Sequence, residues 1–125
     1  METIIKHIDA TKEYYFEEGC YINELSNSGE DPDVSIAQAR VLPGETTRWH
    51  RLHNTVERYV ILQGQGEVEI GQLPPTTTGK GDVVLIPAGC RQRIRNTGET
   101  ELVFLAICSP RFQADAYEDI EDNPE

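Results

Sequence analysis

Turn-forming residues recur about every 8–12 positions along the middle of this chain, and this spacing limits the fold more than any other feature. Short apolar segments lie between them: residues 34–42 end at Pro43-Gly44, and residues 83–86 end at Pro87. No stretch of residues 34–108 keeps the apolar repeat of an amphipathic helix. Short strands joined by frequent turns are typical of an all-β sandwich or barrel.

Individual segments support this prediction. Residues 67–70 alternate acidic and apolar side chains, as expected for a half-buried strand. Gly64 and Gly66 lie between this segment and residues 57–63, so we expect a tight hairpin there. Pro74-Pro75 cannot lie in the middle of a sheet because proline has no backbone donor.

The charge of the chain is concentrated at its two ends. The 125 residues carry a net charge of −11, of which residues 1–40 contribute −6, residues 112–125 contribute −6 and the middle contributes +1. We expect one domain over residues 1–125, with an N-terminal arm at 1–20 and an acidic tail at 112–125. Nucleic acid is excluded as a general partner because an acidic surface repels phosphate.

Two further observations concern the compartment. No apolar run approaches the ~18 residues that cross a bilayer, and the N-terminus lacks the pattern of a signal peptide. The three cysteines, Cys20, Cys90 and Cys108, contain no C-x-x-C motif, which is typical of reduced thiols. We therefore expect a cytoplasmic protein without membrane contact.

Two histidines and a carboxylate near the centre of the chain form a candidate metal site. His50, His53 and Glu57 lie within eight residues, and imidazole and carboxylate suit first-row divalent metals. On an extended strand His50 shares a face with Leu52, so His53 reaches the same centre only if the chain turns there. The alternative interpretation is two surface histidines beside a turn.

Eight residues of the chain fall at two regular spacings. The first set is Gly44, His50, Glu57 and Gly64, and the second set, 16 residues further on, is Gly81, Pro87, Gly89 and Asn96. In these positions the chain resembles the cupin superfamily over about residues 34–110. The resemblance implies a small antiparallel double-stranded β-helix, the jelly-roll or cupin barrel. It also implies a homodimer, to which residues 14–25 would contribute a packed or exchanged strand.

The chain departs from the cupin signatures at two metal ligands. Typical members use two His and a Glu from the first signature and a His from the second. His50 and Glu57 match, but the second His is either replaced by Leu52 or displaced to His53, and the last is Gln92. The resemblance thus implies a divalent Fe, Mn, Ni or Zn ion held by His50, Glu57, Gln92 and His53, with an empty polar pocket as the alternative.

Three neighbours of this site are candidate pocket residues. Cys90 precedes Gln92 by two positions, so both are predicted to face the barrel interior. Arg48 and Arg58 flank the site and would bind an anionic group of a ligand. Two functions follow from the resemblance: a metal-dependent oxygenase, isomerase or lyase acting on a small organic molecule, or a non-catalytic small-molecule-binding cupin with a degraded metal site.

Overall fold

Eleven strands and two three-residue 3-10 turns make up the computed structural model, which describes residues 1–125. The strands are β1 Tyr14–Phe16, β2 Cys20–Ser26, β3 Ser35–Val41, β4 His50–Leu52, β5 Val56–Gln63, β6 Gln65–Ile70, β7 Thr76–Gly79, β8 Val83–Ile86, β9 Gln92–Asn96, β10 Leu102–Ser109 and β11 Tyr117–Asp119. The 3-10 turns are Ala10–Lys12 and Ala114–Ala116. These two turns are the helical segments of the chain, and neither could span a bilayer.

The strands form two antiparallel sheets. The larger has the order β1-β2-β3-β10-β5-β8, and the smaller has the order β11-β4-β9-β6-β7. Neighbours in both sheets are often distant in sequence, as in the pairs β3–β10 and β4–β9. This is the crossed topology of a jelly roll, so the predicted all-β antiparallel barrel is confirmed.

The apolar core lies between the two sheets. Tyr59 and Phe104 come from the larger sheet, pack with ring centroids 4.4 Å apart and are almost completely buried. Ile94 and Ile70 come from the smaller sheet and belong to the same cluster. Along β5 the buried positions alternate with half-buried ones, which is the period-two pattern of a strand with one face on the core.

The predicted hairpin at Gly64 is wrong. β5 and β6 do not pair with each other; the chain passes at Gly64 from the larger sheet to the smaller one. Gly64 has φ +85°, and a Cβ built there would lie 2.6 Å from the Glu101 carbonyl oxygen. Glycine at this corner therefore permits both a left-handed backbone and a close approach of two main chains.

Both ends of the chain are attached to the barrel. β1 pairs with β2 and β2 with β3, so residues 14–25 pair within their own chain. In the tail, β11 pairs with β4 and places Asp119 opposite His50, while Ile120 is buried. These attachments bring an N-terminal turn and a C-terminal strand to the same end of the barrel as β4.

Candidate functional site

His50 lies at the start of β4 with its imidazole buried inside the barrel. Its Nδ1 is 2.7 Å from the carbonyl oxygen of Arg48, and its Nε2 is 3.3 Å from Oε1 of Glu18. A carbonyl only accepts, so Nδ1 carries a proton and Nε2 is the atom that faces the carboxyl. A bare nitrogen lone pair would repel a carboxylate. A hydrogen bond between these two groups requires a second proton, on the ring or on the acid.

The main chain of Arg48 holds this pair together. Its backbone N–H donates to the carbonyl oxygen of Glu18 at 2.7 Å, while its own carbonyl oxygen accepts from His50. Glu18 lies in the turn between β1 and β2, just before Gly19, whose φ is +108°. Tyr117 of β11 stacks on the His50 ring at 5.3 Å. The imidazole is thus fixed in tautomer and in orientation.

Glu57, on β5, is the second buried acid of the site. Its side chain is in the interior, and Oε1 has no hydrogen-bond partner in the protein. Burial raises the pKa of Glu57 to about 7, and the nearby Glu18 carboxyl adds to the rise. The His50 ring and the donors of Gln92 and Cys108 oppose this rise in pKa without cancelling it. A carboxyl with this pKa gains or loses its proton near neutral pH.

Gln92 lies on β9 directly opposite His50 in the strand register. It is almost completely buried, and its Oε1 accepts a hydrogen bond from the Tyr59 hydroxyl at 2.6 Å. Burial, followed by the charges of Glu57 and Glu18, raises the pKa of Tyr59, so this hydroxyl stays protonated and continues to donate. The structure therefore brings together His50, Glu57 and Gln92.

The other four predicted site residues are not among the residues that line this pocket. β4 ends at Leu52, which is buried and lines the pocket, so alternation turns His53 outward. The half-exposed His53 has its Nε2 2.8 Å from Oε1 of Glu118. The Arg48 guanidinium pairs with Asp119 outside the barrel.

Arg58 and Cys90 also do not line the pocket. Arg58 lies between two buried positions of β5, on the outer face, and donates to the Ser109 hydroxyl at 2.8 Å. Cys90 precedes β9 in a turn, outside the regular alternation of that strand, and its thiol lies beside Gly71. Its side chain is half-buried and packs against the apolar core, so it faces the barrel interior without lining the pocket.

The pocket itself is a largely apolar cleft of about 640 Å³, its open mouth included. His50 and Glu57 are among its lining residues, together with Leu52. The remaining lining residues come mainly from β1, β2, β3 and β10 and include six aromatic side chains: Tyr14, Phe16, Tyr59, Phe104, Phe112 and Tyr117. A cleft lined mainly by apolar and aromatic side chains, with a few polar groups, is typical of sites that bind small organic molecules.

Glu18 and Tyr117 are site residues that the sequence alone did not identify. Glu18 belongs to the arm and Tyr117 to the acidic tail, two segments outside the cupin signatures. Burial raises the pKa of Tyr117 most, and the Glu18 carboxyl contributes. In the sequence, Glu18 is marked only by an acid pair before Gly19, and Tyr117 only as one aromatic residue in a polar tail. Neither local feature predicts a contact with a distant part of the chain.

The donor set does not fit the four-ligand metal site that the resemblance implies. His50 is the only imidazole in the pocket, because Leu52 occupies the second position and His53 lies outside. The Gln92 oxygen is already engaged by Tyr59. No group of three or more His, Cys, Asp or Glu side chains is arranged to hold a metal ion. The polar side chains that accompany His50 in the pocket include the carboxyl groups of Glu18 and Glu57.

Comparisons with known proteins agree with the fold. The chain is similar in structure to an uncharacterised protein with a double-stranded β-helix domain from Klebsiella pneumoniae, with a TM-score of 0.74, 14% identity and coverage of 94% of this chain and 97% of that one. It is also similar to Pac13 of Streptomyces, described as a nucleoside dehydratase. The TM-score is 0.76 at 13% identity, over 94% of this chain and 92% of that one.

Sequence comparison identifies the family. The chain is 30% identical over 123 residues to the uncharacterised protein MJ1618 of Methanocaldococcus jannaschii, covering 97% of this chain and 95% of that protein. The family model described as the cupin domain matches residues 37–108. With more than half of the chain inside that match, the protein belongs to the cupin family.

Proposed function

We propose that this cupin binds a small organic molecule in the apolar pocket and uses His50, Glu18 and Glu57, rather than a metal ion, to contact it. The observation that carries the proposal is Glu57, which lines the pocket and whose buried Oε1 has no protein partner. Leaving a buried polar atom unsatisfied costs about 1–3 kcal/mol. A bound molecule that donates a hydrogen bond to this oxygen would offset that cost.

The same groups can move a proton, which supports acid–base catalysis as a second candidate function. Burial raises the pKa of Glu57 to about 7, and in the same pocket the Nε2 of His50 lies 3.3 Å from Oε1 of Glu18. A carboxyl with such a pKa can take a proton from a bound molecule and return it to another atom. The dehydratase among the fold neighbours shows only that a barrel of this shape can host an enzyme.

A pocket-filling substitution tests the binding proposal. Ala106 lines the pocket on β10, so Ala106→Phe should occupy the space that the ligand needs. The matched control is Ala114→Phe, at an exposed position of the tail. We expect fragments from a small organic library to shift the NMR signals of pocket residues in the wild type and the control, but not in Ala106→Phe. Binding that survives Ala106→Phe would contradict the proposal.

The alternative function is a divalent Fe, Mn, Ni or Zn ion held by His50, Glu57 and Gln92, with an organic ligand on the metal. An oxygenase, isomerase or lyase would follow from such a site. Against it stand the apolar Leu52 and the engaged oxygen of Gln92. Stoichiometric metal that depends on His50 and Glu57 would favour this alternative.

A homodimer and a reducing compartment complete the proposal. Val83 and Leu85 on the edge strand β8 are 56% and 70% exposed, and Val83 lies opposite Val60 of β5. We infer that a second copy of the chain covers this apolar face. We also infer a cytoplasmic protein, because the three cysteines are free thiols, as is usual in a reducing compartment. Leu85→Asp should give a monomer by light scattering, whereas Leu73→Asp, on an exposed loop, should not. A dimer that persists in Leu85→Asp would contradict this interface.

A further inference from the structure

The charge of the pocket lining is one-sided. Three carboxyl groups line it, those of Glu18, Glu24 and Glu57, and no lysine or arginine does. The one imidazole of the lining is His50, whose Nε2 lies 3.3 Å from Oε1 of Glu18. Even with a charged imidazole, the walls of the pocket carry more acidic than basic groups.

No arginine forms an ion pair with these acids: Arg51 pairs with Glu118, and Arg58 donates to the Ser109 hydroxyl. Arg40 pairs with Glu13 and Glu101, and the Arg48 guanidinium pairs with Asp119. Arg111 donates to Asn27, whose own amide donates to Glu24. Each of these guanidinium groups is directed to a partner outside the pocket lining or to a neutral amide.

Two of the three acids retain free acceptor capacity. Oε1 of Glu57 is buried and has no partner. Glu18 contacts His50 through Oε1, and its Oε2 receives only a thiol contact from Cys20 at 3.7 Å. Such oxygens suit a donor that carries positive charge, because charge-assisted hydrogen bonds are about twice as strong as neutral ones.

The aromatic lining points to the same ligand chemistry. Six aromatic side chains line the same cleft as the acids, and Phe16 and Tyr117 lie edge to face at 5.1 Å near His50. Aromatic faces attract organic cations by about 0.5–2 kcal/mol each, more so where water is excluded. A metal ion would gain little from these rings and would need ligands that the pocket lacks.

We infer that the ligand of this pocket is a small organic cation, a protonated amine on an apolar skeleton, whose ammonium group is bound by Glu18 and Glu57. The inference rests on the proposed small-molecule function and adds the chemical class of the ligand. It also reverses the expectation of an anion held by Arg48 and Arg58, since neither guanidinium enters the pocket.

Matched sets of small probes test the charge preference directly. Each set has one apolar skeleton, such as benzyl, phenethyl or cyclohexylmethyl, carrying in turn an amine, an alcohol or a carboxylate. Affinities are measured by NMR titration of the full-length protein. We expect the amine to bind about tenfold more tightly or better than the alcohol of the same skeleton, and the carboxylate to bind least.

Substitution of the acids supplies the second readout. Glu57→Gln and Glu18→Gln keep the size of the side chain, and each should weaken amine binding about tenfold while changing alcohol binding less than about threefold. Glu99→Gln, at an exposed position outside the pocket, is the control and should change neither. The comparison of probes on the wild type does not depend on how well the variants fold.

The outcomes separate the two proposals. Alcohols or carboxylates that bind in the pocket as tightly as the amines would overturn the cationic ligand and leave the small-molecule function intact. Failure of every probe and of the fragment library to shift the pocket signals would overturn both. Tighter binding of amines that is unchanged in Glu57→Gln and Glu18→Gln would also overturn the assignment to these two acids.

Discussion

Glu57→Gln is predicted to change the pH dependence of stability. Burial, and then the charge of Glu18, raise the pKa of Glu57 from 4.5 to about 7. A carboxyl with a higher pKa in the folded chain binds its proton more tightly when folded. The stability due to this proton is complete below about pH 4.5 and is lost as the pH rises to about 7. This is the reverse of the direction for an ion-paired carboxylate.

The magnitude follows from the interval between the two pKa values. From 4.5 to about 7, at 1.36 kcal/mol for each pKa unit, the loss is about 3 kcal/mol. About 2 kcal/mol of it falls between pH 5.5 and pH 8, because at pH 5.5 the unfolded carboxyl is already mostly ionised. Glutamine does not titrate. The free energy of unfolding of Glu57→Gln, relative to wild type, should therefore rise by about 2 kcal/mol over that range.

Urea unfolding at pH 5.5 and pH 8, followed by fluorescence, measures this difference. Trp49 is the single tryptophan and is buried, so unfolding should change its emission. The control is Glu99→Gln, an exposed position, for which the difference from wild type should stay within about 0.5 kcal/mol at both pH values. An equal difference between Glu57→Gln and wild type at the two pH values would refute the burial of an ionisable Glu57.

Two further substitutions test the barrel corner and the lost metal ligands. Gly64→Ala should destabilise the fold by about 2 kcal/mol or more in urea unfolding, because φ is +85° and the new Cβ would meet the Glu101 carbonyl at 2.6 Å. A change below about 0.5 kcal/mol would contradict the strained corner. The double variant Leu52→His with Gln92→His should acquire a divalent metal that elemental analysis detects, since it supplies two further imidazoles beside His50 and Glu57. No gain of metal over wild type would show that Leu52 and Gln92 do not occupy ligand positions.

The barrel could be predicted from sequence because its signals are local. Turn residues at regular intervals and period-two burial, as on β5, predict strands even when it is not known which strands pair with each other. The corner at Gly64 was mistaken for a hairpin because a Gly-x-Gly segment between two strands has the same local pattern in both cases. Only the pairing of β5 with β10, rather than with β6, distinguishes them.

The site was predictable only where strand alternation applies. His50 and Gln92 lie on regular strands, and the register places them opposite each other. His53 and Cys90 lie just outside strands β4 and β9, where alternation no longer determines the direction of a side chain. Glu18 enters the site through a main-chain hydrogen bond from Arg48, a contact between distant residues that no local pattern reports.

The central claim is that this pocket binds its ligand through hydrogen-bonding and acid–base groups and not through a metal ion. The metal content of untagged protein, purified without added metal, tests this claim most directly. Elemental analysis would be made on wild type, His50→Ala and Glu57→Ala. Because Leu52 replaces one imidazole and Gln92 is engaged by Tyr59, we expect substoichiometric metal that is unchanged in both variants. Near-stoichiometric metal in the wild type, lost in His50→Ala and in Glu57→Ala, would contradict it.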